Sequence, residues 1–130
     1  MKNVNEIPTL PNADEMEEQY GSDLEKIYED HNKLISMILT EEEDLIEMHK
    51  SHVDEVINVE KSEMGLISEV DKSGSDIEEY VKDLDKMLLK KMTMIAGMRK
   101  KLVNFNSHLQ MEKMLQGIYH KKQNELDAND

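Results

Sequence analysis

Residues 77–109 read IEEYVKDLDKMLLKKMTMIAGMRKKLVNFNSHL, and this stretch decides the fold. Its apolar residues return at alternating steps of four and three positions, and Lys91 is the one interruption. Because a helix turns once per 3.6 residues, this repeat keeps a narrow apolar stripe on one helix face. Such a helix depends on other helices to cover the stripe. We call the following residues the seam: Ile77, Val81, Leu84, Leu88, Lys91, Ile95, Met98, Leu102, Phe105 and Leu109.

The composition favours long, partly exposed helices over a thick globular core. The residues are 38% hydrophobic and 35% charged, and the length of 130 residues indicates one domain at most. The chain has no Cys, so disulfides and thiolate metal sites are excluded. No apolar run approaches the roughly 20 residues of a membrane span, and the net charge of −13 disfavours nucleic acid and anionic lipid. We expect a cytoplasmic protein with no membrane or nucleic-acid partner.

The first part of the chain is expected to contain a leader and a helical segment. Residues 1–20, with two prolines, resemble a disordered leader. Ser22 and Glu25 form a capping box that begins a helical segment over about 22–39. A second box, Thr40 with Glu43, allows a break near Leu39 and Thr40. A continuous helix through that point is equally compatible, because no Gly or Pro lies nearby.

The second part predicts a helical hairpin. The one turn cluster inside the folded region is residues 71–75, flanked by helices over about 41–70 and 76–120. The fold class is therefore all-α, a long antiparallel hairpin or small bundle over residues 21–122, with a disordered tail at 123–130. The predicted turn and cap residues are Ser73, Gly74, Ser75 and Glu78.

The hairpin brings two opposite charge blocks together. Residues 13–60 carry sixteen acidic residues and three lysines, whereas residues 86–122 carry nine basic residues and one acidic residue. A turn near Ser73 places Tyr28 opposite Ile118, so the blocks face each other. The first arm carries a broader apolar stripe, on which His49 is expected as a buried, hydrogen-bonded residue. The predicted pairing residues of this arm are Leu45, Ile46, His49, Val53, Val56, Met64 and Ile67.

Nothing in the chain predicts a catalytic or metal site. His49 and His52 lie one turn apart but lack the Glu-x-x-His pattern of di-iron bundles. The turn residues resemble a calcium loop, but Asp76 stands where that loop requires Gly. There is no phosphate-binding Gly-rich loop and no Gly-x-Ser-x-Gly nucleophile motif. We therefore expect no enzyme activity and no cofactor in this chain.

Several residues indicate that more than two helices meet. Met87, Met92 and Met94 partly leave the seam and, together with Tyr80, are expected to form a second apolar edge, which points to a bundle or a dimer. Gly65 and Gly97 are expected to allow close helix approach. Lys91 is expected to fix the pairing register at a cost in stability, so Lys91→Leu should raise stability and loosen register.

An ordered set of residues from Glu41 to Leu115 resembles the C-terminal conserved region of kinesin-13 motors. The set consists of Glu41-Glu42-Glu43-Asp44-Leu45-Ile46, His49-Lys50, Glu63-Met64, Leu66-Ile67, Glu69-Val70-Asp71, Gly74-Ser75, Ile77, Tyr80-Val81, Leu84, Lys91, Ile95, Met98-Arg99, Leu102, Phe105 and His108-Leu109. The family commonly has Gln-Pro where Lys72 and Ser73 stand here.

This resemblance implies a tail region of an ATP-driven, microtubule-depolymerising motor at the cytoskeleton or spindle. Such a tail is a dimerisation and regulatory element that contacts the motor domain, and tubulin is engaged only by that motor domain. The expected partners are therefore a second copy of the chain and the motor domain. Two rival interpretations stay open: a monomeric acidic module that docks on a basic surface, and a stand-alone structural coiled coil.

Overall fold

The computed structural model describes residues 12–128, which form three helices and no strand. They are α1 (Ala13–Tyr20), α2 (Leu24–Val70) and α3 (Ile77–Ala128). The long helices α2 and α3 pack against each other, which confirms the all-α prediction. The described residues divide into two compact units. Unit 1 contains residues 12–44 and 102–128, and unit 2 contains Leu45–Lys101.

Helix α2 passes through Leu39 and Thr40 without a break. The Thr40 hydroxyl donates a hydrogen bond to the Ser36 carbonyl at 3.3 Å, a contact that threonines make inside helices. Thr40 therefore caps nothing, and the segment predicted over 22–39 is the first part of α2.

Aspartates, and not the predicted serines, cap the two long helices. Asp23 Oδ1 accepts from the Lys26 amide at 3.0 Å. Asp76 Oδ1 accepts from the Glu78 amide at 3.0 Å and from the Glu79 amide at 3.4 Å. The Ser75 hydroxyl instead donates to the Val70 carbonyl at 2.9 Å, so it closes the end of α2.

The predicted leader and tail differ from the structure at their inner ends. Ala13–Tyr20 form α1, because Asn12 caps it through the Glu15 amide at 2.7 Å and Met16 is buried. Residues 1–11 lie outside the described residues. At the other end, α3 continues to Ala128, since no Gly or Pro follows Gly117. Residues 129 and 130 are also outside the described part.

Unit 1 holds the main apolar core. Ile27, Leu34 and Ile38 of α2 are buried. The rings of Tyr28 and Tyr119 lie 6.1 Å apart, which agrees with the predicted alignment of Tyr28 with Ile118. The buried cluster is Met16, Ile27, Leu34, Ile38, Leu115 and Ile118, with Tyr20, Phe105, Leu109, Met111, Met114 and Tyr119 packed against it.

Unit 2 is a helical hairpin closed by the predicted turn. Gly74 has φ 81°, a left-handed backbone conformation that favours glycine. Val59 is the buried apolar residue of this unit's described core. Two helices alone bury little, so most apolar side chains of unit 2 are half-buried or exposed.

Candidate helix-pairing interface

The facing sides of the unit 2 hairpin follow a regular pattern of burial. Apart from Asp83, the buried or half-buried residues recur at steps of three and four on both helices, with one step of seven on α2. We call them the inner residues: Leu45, His52, Val56, Val59, Glu63, Leu66 and Val70 on α2, and Tyr80, Leu84, Met87, Lys91, Met94 and Met98 on α3. Their spacing matches one face of each helix, so these faces contact each other.

Lys91 crosses this contact to α2 of the same chain. Its Nζ lies 2.6 Å from Glu60 Oε1 and 2.6 Å from Glu63 Oε2. The Glu63 side chain is 13% exposed and that of Lys91 is 26% exposed. The hydrogen bonds that Lys91 donates to Glu60 and Glu63 raise the pKa of Lys91, and the bond from Lys91 lowers the pKa of Glu60. The lysine in the seam is therefore charged and satisfied within one copy.

The seam divides into two lines with different surroundings. Leu84, Lys91 and Met98 are half-buried inner residues, and Phe105 and Leu109 pack against the unit 1 core. The other five seam residues have between 45% and 60% of their surface exposed: Ile77, Val81, Leu88, Ile95 and Leu102. The single chain thus covers only half of the predicted seam.

The predicted pairing residues of α2 divide in the same way. Leu45 and Val56 are half-buried inner residues. Four others are exposed by 44% to 68%: Ile46, Val53, Met64 and Ile67. His49 was expected to be buried, and this prediction is wrong, since its side chain is exposed. His49 lies four residues after Leu45 and three before His52, so its spacing fits the inner residues, but no part of the described chain buries it there.

Ten of the twelve exposed large apolar residues of unit 2 lie on one side of the hairpin, and Met48 and Leu89 lie elsewhere. Each residue of this set except Ile77 directly follows an inner residue. Because both helices are right-handed and antiparallel, one further residue turns the side chain by about 100° toward the same side of the hairpin. Ile77 lies one turn before Val81 and shares its side. We call this set the apolar face: Ile46, Val53, Ile57, Met64, Ile67, Ile77, Val81, Leu88, Met92 and Ile95.

The opposite side of the hairpin is polar. It is formed by the residues that directly precede inner residues, and all of those named here are exposed. Gly65 and Gly97 belong to this side, and a Cβ built on either would meet nothing within 4 Å. The expected close approach at these glycines is therefore absent. The polar face consists of Ser51, Glu55, Asn58, Ser62, Gly65, Glu69, Glu79, Lys86, Lys90, Thr93 and Gly97.

Polar contacts in unit 1 join its three helical segments. Lys121 Nζ lies 3.1 Å from Glu17 Oε1, an example of the predicted attraction between the acidic and basic blocks. Sequence reasoning missed two histidine contacts. His31 Nε2 lies 3.0 Å from Glu112 Oε1, and His108 Nδ1 lies 2.7 Å from Glu41 Oε2. The sequence predicts that both histidines lie on helices. It does not show which residues they face, because Glu112 is 81 residues from His31 and Glu41 is 67 residues from His108.

Comparison with known proteins adds no relative. No protein-family model matches the chain, and neither a curated protein nor a solved structure matches it. Within the described residues, no group of three or more His, Asp or Glu side chains is arranged to hold a metal ion. Among those same residues, no helix is long and apolar enough to cross a membrane.

Proposed function

We propose that this chain is a non-catalytic dimerisation and regulatory region that acts by helix–helix self-association. The observation that carries the proposal is the exposure of five seam residues, at 45% to 60%, in a single copy. A line of apolar residues that repeats every seven positions and is left uncovered on a helix is typical of a surface that pairs with another helix. The resemblance of residues 41–115 to kinesin-13 tails supports the same function.

Sedimentation equilibrium tests the self-association. Over a concentration range of about 100-fold, we expect a mass that rises toward twice 15.1 kDa, because dimerisation follows mass action. A mass of one chain at every concentration would overturn the proposal. It would favour the rival interpretation of a monomeric docking module.

The kinesin-13 part of the proposal concerns the motor domain, which this sequence does not contain. We propose that the acidic stretch of α2 contacts that domain, since Glu42, Glu43 and Asp44 are all exposed. ATP hydrolysis and contact with microtubules would belong to the motor domain. The whole protein would be located at the cytoskeleton or spindle.

Fluorescence anisotropy with a labelled kinesin-13 motor domain tests this contact. We expect binding that weakens as salt rises, because exposed charges are screened. The triple variant Glu42→Gln, Glu43→Gln, Asp44→Asn should weaken it, and Glu78→Gln with Glu79→Gln serves as the control. Absence of binding at low salt would contradict the motor-domain contact while leaving self-association intact.

A further inference from the structure

We infer that a second copy of this chain docks on the apolar face of unit 2, so that α2 and α3 of each copy enclose one four-helix core. This inference rests on the proposed self-association and names the surface that performs it. It differs from pairing through α3 alone, because the contact uses both arms of the hairpin.

The size of the apolar face supports a second copy as the occupant. Its ten side chains are exposed by 44% to 68%. At about 50 Å² of apolar surface for each half-exposed side chain, the face offers about 500 Å² per copy. Two such faces together would bury about 1,000 Å² of apolar surface, which meets the lower limit of about 1,000 Å² for a biological interface. Pairing through α3 alone would leave the five α2 residues of the face in water.

The charge distribution also favours contact between copies at unit 2. Unit 2 carries twelve acidic and ten basic residues, a net charge of −2, so the remaining residues carry −11 of the total −13. Two unit 2 hairpins therefore repel each other weakly, whereas other parts of the chain would repel strongly. The charged residues on the apolar side include both signs, Glu60, Asp85 and Arg99, and Glu60 is already held by Lys91.

The polar face limits the assembly to a closed pair. Each hairpin has one apolar side and one polar side, so a contact between two apolar sides leaves a mainly polar surface outside, with Met48 and Leu89 as separate exposed apolar residues. Such a self-complementary contact closes as a two-fold dimer and does not propagate into a fibre.

Matched substitutions on the two helices test the inference in the full chain. Ile57→Asp on α2 and Leu88→Asp on α3 should each raise the dimer dissociation constant by about 30-fold or more. Leu89→Asp is the control, because Leu89 is 55% exposed but follows inner Met87 by two residues and points away from α2. It should change the constant by less than about threefold. Circular dichroism checks that each variant keeps its helix content.

Spin labels give a second readout that does not depend on disruptive substitutions. The chain has no Cys, so a single Cys at Met64 or at Asn58 can be labelled selectively. The label at position 64 should lose solvent accessibility as concentration rises, and the label at position 58 should not. If the chain dimerises but Ile57→Asp has no effect and position 64 stays accessible, this inference is overturned while the proposed function stands. If the chain never dimerises, both are overturned.

Discussion

At the residue scale, Gly65 and Gly97 are helix-interior glycines with open space where a Cβ would be. Alanine is favoured over glycine inside a helix because it loses less backbone entropy on folding. We expect Gly65→Ala and Gly97→Ala to raise the free energy of unfolding by about 0.5–1 kcal/mol each. Urea unfolding at fixed protein concentration measures the effect.

Gly74 supplies the contrasting case. It adopts φ 81°, so Gly74→Ala should lower the free energy of unfolding by about 1 kcal/mol despite equally open surroundings. If Gly65→Ala and Gly97→Ala lowered the free energy of unfolding as Gly74→Ala does, the polar face would be in contact with other residues. That result would contradict the open space around these two glycines.

Tyr20 fixes α1 to α2 through a pH-dependent contact. Its hydroxyl donates to Asp30 Oδ2 at 2.7 Å. Burial and the neighbouring Asp30 raise the pKa of Tyr20 to about 12, and the bond from Tyr20 lowers the pKa of Asp30. The contribution of Tyr20 to the free energy of unfolding is therefore complete below its ordinary pKa of about 10 and is lost as pH rises toward 12. The aspartate contribution is present above its ordinary pKa of about 4 and is lost as pH falls below it.

Tyr20→Phe tests this pair. Near neutral pH the variant should be less stable than the original chain by about 1 kcal/mol, a modest value because the pair is partly open to solvent. The difference should vanish as pH rises from about 10 to 12, and also below about pH 4. Urea unfolding across this pH range measures it. A constant difference at every pH would mean that the ring, and not the hydrogen bond, stabilises α1.

At the scale of elements, the contact of Lys91 with Glu63 should help to align α3 on α2. A double-mutant cycle with Lys91→Met and Glu63→Gln should give a stabilising coupling, because these side chains are mostly shielded from water. Lys72 with Glu69 is the control pair, since its side chains are 64% and 71% exposed. Equal coupling in the two cycles would show that burial adds nothing at Lys91.

The same contact changes the expectation for Lys91→Leu. Sequence reasoning predicted a gain in stability, but this substitution alone leaves the mostly buried Glu63 without its cation. The stability gained from the new apolar contact is therefore offset by the cost of leaving the Glu63 carboxylate unpaired. We expect a clear increase in stability only when Glu63→Met accompanies Lys91→Leu.

The helices were predictable because their signals are local. Apolar spacing located α2 and α3, and the cluster of residues 71–75 located the turn. The caps were misplaced because Asp76 and Asp23 directly follow serines that offer the same chemistry. Helix α1 was missed because its docking depends on one buried side chain, Met16, and on Tyr20, whose partner is ten residues away.

The candidate interface was only half predictable from the sequence. The repeat identified the residues of the seam, but a repeat does not tell which of its two lines faces the partner arm. Inner and exposed positions, such as Met87 and Leu88, are neighbours in sequence and equally apolar. Only the relative placement of α2 and α3 assigns one to the hairpin contact and the other to the apolar face.

At the scale of the whole molecule, most of the net charge and the proposed association surface are located in different parts of the chain. Because unit 2 has a net charge of −2, dimerisation through its apolar face should depend weakly on salt. We expect the dissociation constant to change by less than about threefold between about 0.05 and 0.5 M NaCl. Sedimentation equilibrium at several salt concentrations measures it. A steep loss of dimer in salt would place the contact at the charged blocks.

Met64 and Met92 give the apolar face a sensitivity to oxidants. They are 68% and 65% exposed in one copy, whereas Met16 is 4% exposed. Sulfoxide formation turns an apolar side chain into a polar one. Dilute peroxide, followed by mass spectrometry, should therefore modify Met64 and Met92 quickly in dilute protein and slowly in concentrated protein, with Met16 slow in both. Sulfoxides at Met64 and Met92 would weaken the proposed contact between copies, and a methionine sulfoxide reductase would restore it.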